Sequence, residues 1–347
     1  MASKSANPRN AVTRDDVARL AGVSSAAVSY VINGTKKLTP ETEARVREAI
    51  RKLGYRPNRA ARALRLGSSE TLGIVVPDAT NPFFTMVTHA VELAAARRGY
   101  SVIAVNSDAE ADGEQRLLEN LVSRGVDGLI VCSTLAVPDA GVLDRGVVPY
   151  VVMNQHATTL HMTSVGVDLR EGARIAVEHL AQHGHSRIGL IAGVTSQGGL
   201  DAREAGWREA VHALGVTPGP LVWDTFTPRG GYAAARRLIE AGDVPSALFV
   251  SSDQIAKGLL KALHEEGIRV PADVAVVAFD GTDDAEFCWP PLTTVAQPVA
   301  EMAEAALEAL FGGEGSGAAR VFAPELVRRD SCGCVRGEWP GGETPGR

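Results

Sequence analysis

The sequence predicts a small all-α head followed by a larger α/β core, and two observations show the division. The first 66 residues read as short helices, whereas strand and helix patterns alternate from Thr71 onwards. The charge divides at the same place. Residues 1–69 hold 14 Lys and Arg against five Asp and Glu, a net charge of +9, and the remainder carries −15. A chain of 347 residues, 45% of them hydrophobic, is long enough to bury more than one core.

The helices of the head are predicted from their end signals. Apolar stripes are preceded by hydroxyl residues that cap helix N-termini and are followed by glycines that end helices. The caps are Thr13, Ser24 and Thr39, and the terminating glycines are Gly22, Gly34 and Gly54. Asp16, three residues after the first cap, forms a capping-box variant with it. The first two helices and their tight turn, residues 13–33, form a helix-turn-helix.

Apolar, β-rich runs alternate with amphipathic helical patterns in the core. The predicted strands are 71–77, 101–106, 128–132, 150–153, 188–192, 221–226, 247–250 and 274–279. Helices between them include 84–98, 114–124, 169–183, 201–214 and 254–266. Over ~200 residues this rhythm is typical of parallel sheets in two doubly wound lobes. The segment 292–297 and the helix after it depart from the rhythm and are predicted to cross back to the first lobe.

The chain lacks the signals of a membrane or secreted protein. No run approaches the ~18 uncharged apolar residues of a membrane helix, and the polar start, 1–10, does not resemble a secretory signal. The sequence therefore predicts a cytoplasmic protein. Cys132 and Cys288 lie in apolar surroundings, and Cys332 and Cys334 form a Cys-x-Cys pair without a nearby His or second pair. We expect reduced thiols and neither metal nor cofactor.

The basic head predicts a polyanionic partner. A membrane surface is the competing polyanion, but the head lacks the large apolar face of an interfacial helix. Double-stranded DNA is therefore favoured. The second helix of a helix-turn-helix lies in the major groove and offers its N-terminal side chains to base edges.

The motifs of the chain resemble one family of regulators. VTRDDVARLAGVSSAAVSYVIN (12–33), with GYRPN (54–58), resembles the N-terminal signature of the lactose-repressor (LacI) family. The resemblance continues through GIVVP (73–77), NPFF (81–84), HGHSRIG (183–189) and LVRRDS (326–331). It implies a dimeric or tetrameric repressor whose core is similar to periplasmic sugar-binding proteins.

The resemblance extends the predicted DNA surface beyond the helix-turn-helix. It makes 58–66 a hinge helix that folds on operator DNA, with Leu64 wedged between base pairs in the minor groove. The predicted DNA-binding residues are Thr13, Ser24, Ser25, Ala26, Ser29, Tyr30, Asn33, Tyr55, Asn58, Arg59, Ala61, Leu64 and Arg65. Ala27 and Tyr30 replace Thr and Arg that are frequent in the family. This departure affects which bases of the half-site are preferred, and not whether the head binds DNA.

The family's effector positions follow predicted strands of the core, where open α/β sheets bind ligands. The implied effector-binding residues are Asn81, Phe84, Asn154, Gln155, Arg203, Phe226, Asp253 and Asp280. Aromatic rings with Asp, Arg and amide partners suit a sugar, because each hydroxyl can both donate and accept. Gln197 stands where some relatives carry an effector-contacting Arg, so purine and phosphate effectors gain no support.

These expectations describe a regulator that binds a palindromic operator as a homodimer under effector control. Its predicted parts are the helix-turn-helix domain (1–57), hinge helix and linker (58–69), effector-binding and dimerisation core (70–335) and flexible tail (336–347). One alternative is a sugar-binding transport protein, which would need a signal peptide and no DNA-binding head. The other is an α/β enzyme, but hydrolase, P-loop and zinc-protease motifs are missing, and GEGSG (313–317) follows a helix and not a strand.

Overall fold

The computed structural model describes residues 12–56, 67–108, 110–133, 143, 146–154, 163–194, 201–312 and 319–334. The chain forms two compact units that divide between Ser69 and Glu70. The predicted hinge helix lies outside the described residues, and so do the expectations for Asn58, Arg59, Ala61, Leu64 and Arg65. Gln155 and the predicted tail also lie outside them.

Three helices form the described part of the smaller unit: α1 (Arg14–Ala21), α2 (Ser25–Asn33) and α3 (Pro40–Leu53). The capping box is confirmed, because the Thr13 amide donates to the Asp16 carboxylate at 2.9 Å and Thr13 Oγ1 accepts from the Asp16 amide at 3.3 Å. Ser24 and Thr39 cap the next two helices. All three terminating glycines have φ between +62° and +64°, the left-handed conformation that residues with a Cβ disfavour.

The larger unit contains the strands and the remaining described helices. Its strands are β1 (Thr71–Val76), β2 (Ser101–Asn106), β3 (Gly128–Val131), β4 (Tyr150–Met153), β5 (Ser164–Val167), β6 (Arg187–Gly193), β7 (Thr217–Asp224), β8 (Ala247–Val250), β9 (Ala275–Asp280), β10 (Thr293–Ala296), β11 (Ala319–Phe322) and β12 (Glu325–Val327). Its helices are α4 (Pro82–Arg97), α5 (Ala111–Ser123), α6 (Leu169–Gln182), α7 (Ala202–Ala213), α8 (Pro228–Glu240), α9 (Asp253–Glu265) and α10 (Val299–Phe311).

Two six-stranded sheets with the same plan define the two lobes. The first has the order β11-β5-β4-β3-β1-β2 and the second β12-β10-β9-β8-β6-β7. The paired strands are parallel, except that β12 is antiparallel to β10. In each lobe the first strand lies between the second and third strands of that lobe, so the strand order reverses there and leaves a crevice at the carboxyl ends. The predicted fold class is confirmed.

The chain passes between the lobes three times. Helix α6 leads from β5 of the first sheet to β6 of the second, and α10 leads from β10 back to β11. The chain then returns to the second sheet as β12. The expectation that the segment after Leu292 crosses back is confirmed. Within the described ranges, no helix combines the length and apolarity that crossing a membrane requires.

Candidate nucleic-acid interface and ligand site

The N-terminal turn of α2 presents small side chains. Ser24 and Ala26 are exposed, and Ser24 Oγ caps the helix by accepting from the Ala27 amide at 3.2 Å. Ser25 Oγ accepts from Arg14 Nε at 2.7 Å, which brings a guanidinium beside this turn. Sequence reasoning missed Arg14 because it belongs to α1 and only the fold brings it to α2.

The second turn of α2 carries the other predicted base-reading residues. The Asn33 side-chain amide donates to Ser29 at both its carbonyl (2.8 Å) and its hydroxyl (3.0 Å), so the two side chains stabilise each other. The Lys36 ammonium lies 5.7 Å from the centre of the Tyr30 ring, within the range of a cation–π contact. Tyr55 packs half-buried against the core of the head.

Positive charge concentrates around α2 because the acidic residues lie on the other two helices. No Asp or Glu occurs in residues 17–40, the segment that holds α2 and both of its flanks. On α1 and α3, acidic groups are paired with neighbouring bases, as in Asp16–Arg19 at 3.0 Å and Glu48–Lys52 at 3.6 Å. Partners that carry phosphates are therefore attracted to the α2 side of the head.

Arg45 links α3 to the turn between α1 and α2. It extends from α3, and its guanidinium donates to the carbonyls of Ala21 and, at 3.1 Å, Gly22. These carbonyls end α1 and begin the turn, where helix geometry leaves them without intrahelical partners. The contact therefore holds the angle at which α2 leaves α1.

The predicted ligand residues lie at the carboxyl ends of the two sheets. In the first lobe Asn81 follows β1, Phe84 lies in the first turn of α4 and Asn154 follows β4. In the second lobe Phe226 follows β7 and Asp280 ends β9. Arg203 and Asp253 begin the helices after β6 and β8. The family positions therefore occupy equivalent ends of two similarly ordered sheets.

Arg203 is held at the centre of the second-lobe site. Its Nε and Nη2 atoms donate to the two oxygens of Asp201 at 2.9 and 2.7 Å, and its Nη1 donates to the Ser251 carbonyl at 2.9 Å. The guanidinium carbon lies 5.1 and 5.4 Å from the ring centres of Phe226 and Phe279. Burial would raise the pKa of Asp201, but Arg203 holds that pKa below its ordinary value. The pair thus keeps a rigid, charged guanidinium in a largely apolar wall.

Asp280 supplies the carboxylate of the same site. It is 5% exposed, and its φ of +114° is unusual for a residue with a Cβ. The Gln297 side-chain amide donates to Asp280 Oδ1 at 3.1 Å. Burial and the neighbouring Asp253 carboxylate raise the pKa of Asp280 to about 7, with Arg203 acting in the opposite direction. The carboxyl group can therefore exist in both protonation states near neutral pH.

Asp253 is a buried neighbour of Asp280. It is fully buried, and its carboxylate accepts hydrogen bonds from the amide (2.7 Å) and hydroxyl (2.9 Å) of Thr282 and from the Thr294 hydroxyl (2.6 Å). Burial raises its pKa to about 6, although these bonds oppose the shift. The structure thus gives Asp253 a part in joining the ends of β8, β9 and β10. Its predicted contact with an effector stays a prediction.

Two buried amide oxygens, one in each lobe, lack a hydrogen-bond partner within the described ranges. Asn154 Oδ1 and Gln297 Oε1 are buried and have no hydrogen-bond partner among the described residues. Burying a polar atom without a partner is costly, so such atoms point to a ligand or a water. Sequence reasoning missed Gln297, which follows the short strand β10 and whose relation to Asp280 only the fold reveals.

First-lobe aromatic residues form an apolar complement. Phe83 and Phe84 meet edge to face with ring centres 5.2 Å apart. Asn81 caps α4 by accepting from the Phe83 amide at 3.0 Å. In the second lobe, the Phe226 ring covers Gly193, where an added Cβ would lie 2.2 Å from the ring. Each lobe thus presents aromatic rings near polar groups that hydrogen bonds hold in place, a combination typical of small-molecule sites.

Comparisons with known proteins agree with this architecture. Residues 13–58 match the family "Bacterial regulatory proteins, lacI family", and residues 177–332 match "Periplasmic binding protein-like domain". The ribose operon repressor of Escherichia coli K12 is 34% identical over 303 residues, which cover 86% of this chain and 92% of the relative.

Solved structures extend the comparison to the fold. The lac repressor dimer bound to operator and the anti-inducer ONPF is 29% identical, with a TM-score of 0.82 over 92% of this chain and 99% of that chain. A complex of the transcriptional regulator CelR with cellobiose is 32% identical, with a TM-score of 0.68 over the same shares. The helical head with two parallel α/β lobes, the matched families and these identities show that the chain belongs to the LacI family, a family of effector-controlled DNA-binding transcriptional repressors and not of enzymes.

Proposed function

We propose that this repressor acts in the cytoplasm, binds a palindromic operator as a homodimer and responds to a sugar held between its lobes. The observation that carries the proposal is the second-lobe site in a chain that also has a helix-turn-helix. There Arg203 lies beside the rings of Phe226 and Phe279, and Gln297 donates to Asp280. The relatives that bear the names of a ribose operon repressor and a cellobiose complex support a sugar as the class of effector.

The chemistry of the site favours a polyol. Arg203 offers N–H donors beyond the three that contact Asp201 and Ser251, and Asp280 accepts or donates according to its protonation. The oxygens of Asn154 and Gln297 accept. A sugar presents several hydroxyls, each both donor and acceptor, to such a mixed set. Phe84 and Phe226 supply apolar surface for the C–H face of a ring.

A thermal-shift screen of the purified protein tests the proposed effector class. Ribose and cellobiose head the panel, with other pentoses, hexoses, disaccharides, nucleosides and phosphates beside them. A sugar at 100 times its Kd is expected to stabilise the folded core by about 2.7 kcal/mol, because it binds only the folded state. A shift with nucleosides or phosphates alone would contradict the sugar assignment and leave the regulator assignment intact.

Operator binding is expected to depend steeply on salt. Arg14, Lys36 and Lys37 lie around α2, so a dimer presents six of these cations. Cations that contact phosphates release the counterions of the DNA. Between about 50 and 200 mM salt, affinity is expected to fall about 10³-fold. Gel shifts with a palindromic duplex measure this dependence, and a duplex with one scrambled half-site is the control. Equal affinity for both duplexes would contradict binding as a two-fold dimer.

An exposed aromatic patch supports self-association. Phe287 and Trp289 are 84% and 88% exposed, and Trp289 borders a groove of about 410 Å³ that is also lined by Leu260, Ile268 and Val270. Exposed aromatic and aliphatic groups of this kind mark interfaces. The lac repressor structure named above is a dimer, which supports a second copy of this chain as the occupant.

The variant Trp289→Glu is expected to convert the dimer to a monomer, because it places a charge in an apolar interface. Operator affinity should then fall at least about 100-fold, since each half-site is bound alone. Light scattering gives the oligomeric state and gel shifts give the affinity. Val147→Glu, at a 64% exposed apolar residue of the first lobe, is the matched control. A Trp289→Glu protein that remains dimeric would remove this patch from the interface.

A further inference from the structure

Two distant parts of the chain meet at the C-terminal end of α6. His179 lies in the last turn of α6, and His183 is the residue that ends it. Cys332 and Cys334 belong to the segment after β12. One ligand atom from each residue falls within a group whose members all lie within 4.8 Å of one another. The expectation that the Cys-x-Cys pair has no nearby histidine is therefore wrong, because the fold brings both histidines to it.

Two distances within this group match the edge of a tetrahedral metal site. Cys334 Sγ lies 3.6 Å from His179 Nε2 and 3.4 Å from His183 Nε2. When Zn–S and Zn–N bonds measure about 2.3 and 2.05 Å, the S···N edge of a tetrahedron is about 3.6 Å. The rings of the two histidines are 4.8 Å apart and inclined at 73°, so their edges converge without stacking.

The cluster is enclosed on one side and open on the other. Cys332 is fully buried and His179 is 6% exposed, whereas His183 is exposed and Cys334 half-buried. The Thr293 hydroxyl donates to Cys332 Sγ at 3.1 Å, the kind of outer contact that orients a thiolate ligand. A metal ion could therefore enter from the His183 side and find the inner ligands already positioned.

The protonation of the group agrees with this geometry. Burial, assisted by His183 and Arg328, lowers the pKa of His179 to about 4, so the ring stays neutral near pH 7. Burial and the adjacent Cys332 raise the pKa of Cys334 to about 11. A metal that binds here displaces the thiol protons. A divalent metal with two thiolates and two neutral imidazoles has no net charge, which suits a site near Arg328.

We propose that His179, His183, Cys332 and Cys334 bind one zinc ion in a tetrahedral Cys2His2 site. Two thiolates and two imidazoles form a closed set of N and S ligands, which is typical of structural and not catalytic zinc. A zinc ion shared by α6 and the segment after β12 closes a loop of about 150 residues, which contains the whole second-lobe sheet. Because closing a long loop restricts the unfolded chain, the ion stabilises the second lobe.

Metal analysis of the full-length protein tests the site. Protein loaded with Zn²⁺ under reducing conditions and then dialysed is expected to keep one zinc per chain. His183→Gln and Cys334→Ser should lower zinc affinity by more than about 100-fold, a larger loss than the 10- to 100-fold typical of an outer-shell change. The matched controls are His185→Gln and Cys288→Ser. His185 contacts Ser246 at 3.0 Å and Cys288 lies near Asp284, both outside the cluster.

Cobalt and stability measurements separate binding from folding. Co²⁺ in place of zinc should give the intense visible bands of tetrahedral coordination and a thiolate-to-cobalt charge-transfer band, both lost in Cys334→Ser. A chelator should lower the melting temperature of the wild type and of the controls to that of His183→Gln. The melting temperature of His183→Gln should be the same with and without chelator. Zinc that is absent from the reconstituted wild type, zinc retained by both ligand variants, or a cobalt spectrum without the thiolate band would each overturn the proposal.

Discussion

Replacing Arg203 by alanine should abolish the response to the effector. The variant should bind the operator permanently if the effector is an inducer, and should fail to bind it if the effector is a corepressor. The guanidinium is fixed by Asp201 and by the rings of Phe226 and Phe279, so its remaining donors are oriented before a ligand arrives. Charge-assisted hydrogen bonds from such a group contribute about 1.5–3 kcal/mol each. Two of them lost should weaken effector binding by more than about 100-fold.

Calorimetry with the sugar found in the thermal screen measures the loss. Arg203→Ala leaves the Asp201 carboxylate buried without its partner, so Asp201→Asn/Arg203→Ala is needed beside it to keep the fold stable. Arg203→Lys is the matched control for charge, because it keeps the cation and loses the paired contact with Asp201. Wild-type affinity in both alanine variants would remove Arg203 from the site.

The contribution of Asp280 to the stability of the protein should fall as pH rises from about 4 to about 7. In the folded protein the pKa of Asp280 is about 7, above the ordinary value of 3.8. Between these values the folded state binds more protons than the unfolded state, so the free energy of unfolding decreases with pH and levels off above about 7. The expected contribution is on the order of a few kcal/mol.

The variant Asp280→Asn isolates this effect. Asparagine does not titrate and can still accept from Gln297. The free energy of unfolding of the variant minus that of the wild type should therefore be larger at pH 8 than at pH 5. Groups remote from Asp280, including His179 with its lowered pKa, titrate in both proteins and cancel in the difference. The neighbouring Asp253 carboxyl interacts with Asp280, so its titration contributes to the difference. Denaturant unfolding at the two pH values measures it. The same variant should bind the effector poorly, and a difference that does not vary with pH would contradict the assigned pKa.

Sequence patterns predicted the helix ends of the head because caps act locally. Thr13 with Asp16, and the glycines that end each helix, need only neighbouring residues to exert their effect. The alternation of strands and helices likewise gave the two-lobed fold. The short strands β5, β11 and β12 were not predicted, because each includes polar or charged residues or glycine and none stands out as an apolar run.

Helix α8 was not among the helices named from the sequence, and its two glycines weaken the helical pattern there. Gly230 and Gly231 read as a turn in a sequence. In the fold, a Cβ on Gly231 would lie 1.9 Å from the Ile255 carbonyl oxygen, and one on Gly258 would lie 1.8 Å from the Pro228 carbonyl oxygen. These residues let the backbones of α8 and α9 approach closely. These glycines are therefore required by the packing of the two helices and not by a turn.

The candidate site could be assembled only in part from the sequence, because some of its contacts join separate elements of the fold. Positions that follow strands could be carried over from the family resemblance, and the structure brings Arg203, Phe226 and Asp280 together. Gln297 and Arg14 could not be predicted, because their partners lie on other elements of the fold. The cysteine and histidine cluster was missed because its two halves lie far apart in the sequence, with 155 positions between His179 and Cys334.

The three passages of the chain between lobes have a consequence for the order of synthesis. Residues 319–327 supply the outermost strands, β11 and β12, of both sheets. While the ribosome is still adding this segment, β5 and β10 remain open sheet edges, and such edges recruit other chains. A stop codon just after Phe311 should therefore damage both lobes together and yield aggregates, although more than nine-tenths of the described core would have been made. Neither lobe corresponds to a continuous stretch that could be expressed alone, so the two must mature as one unit after the last strands emerge.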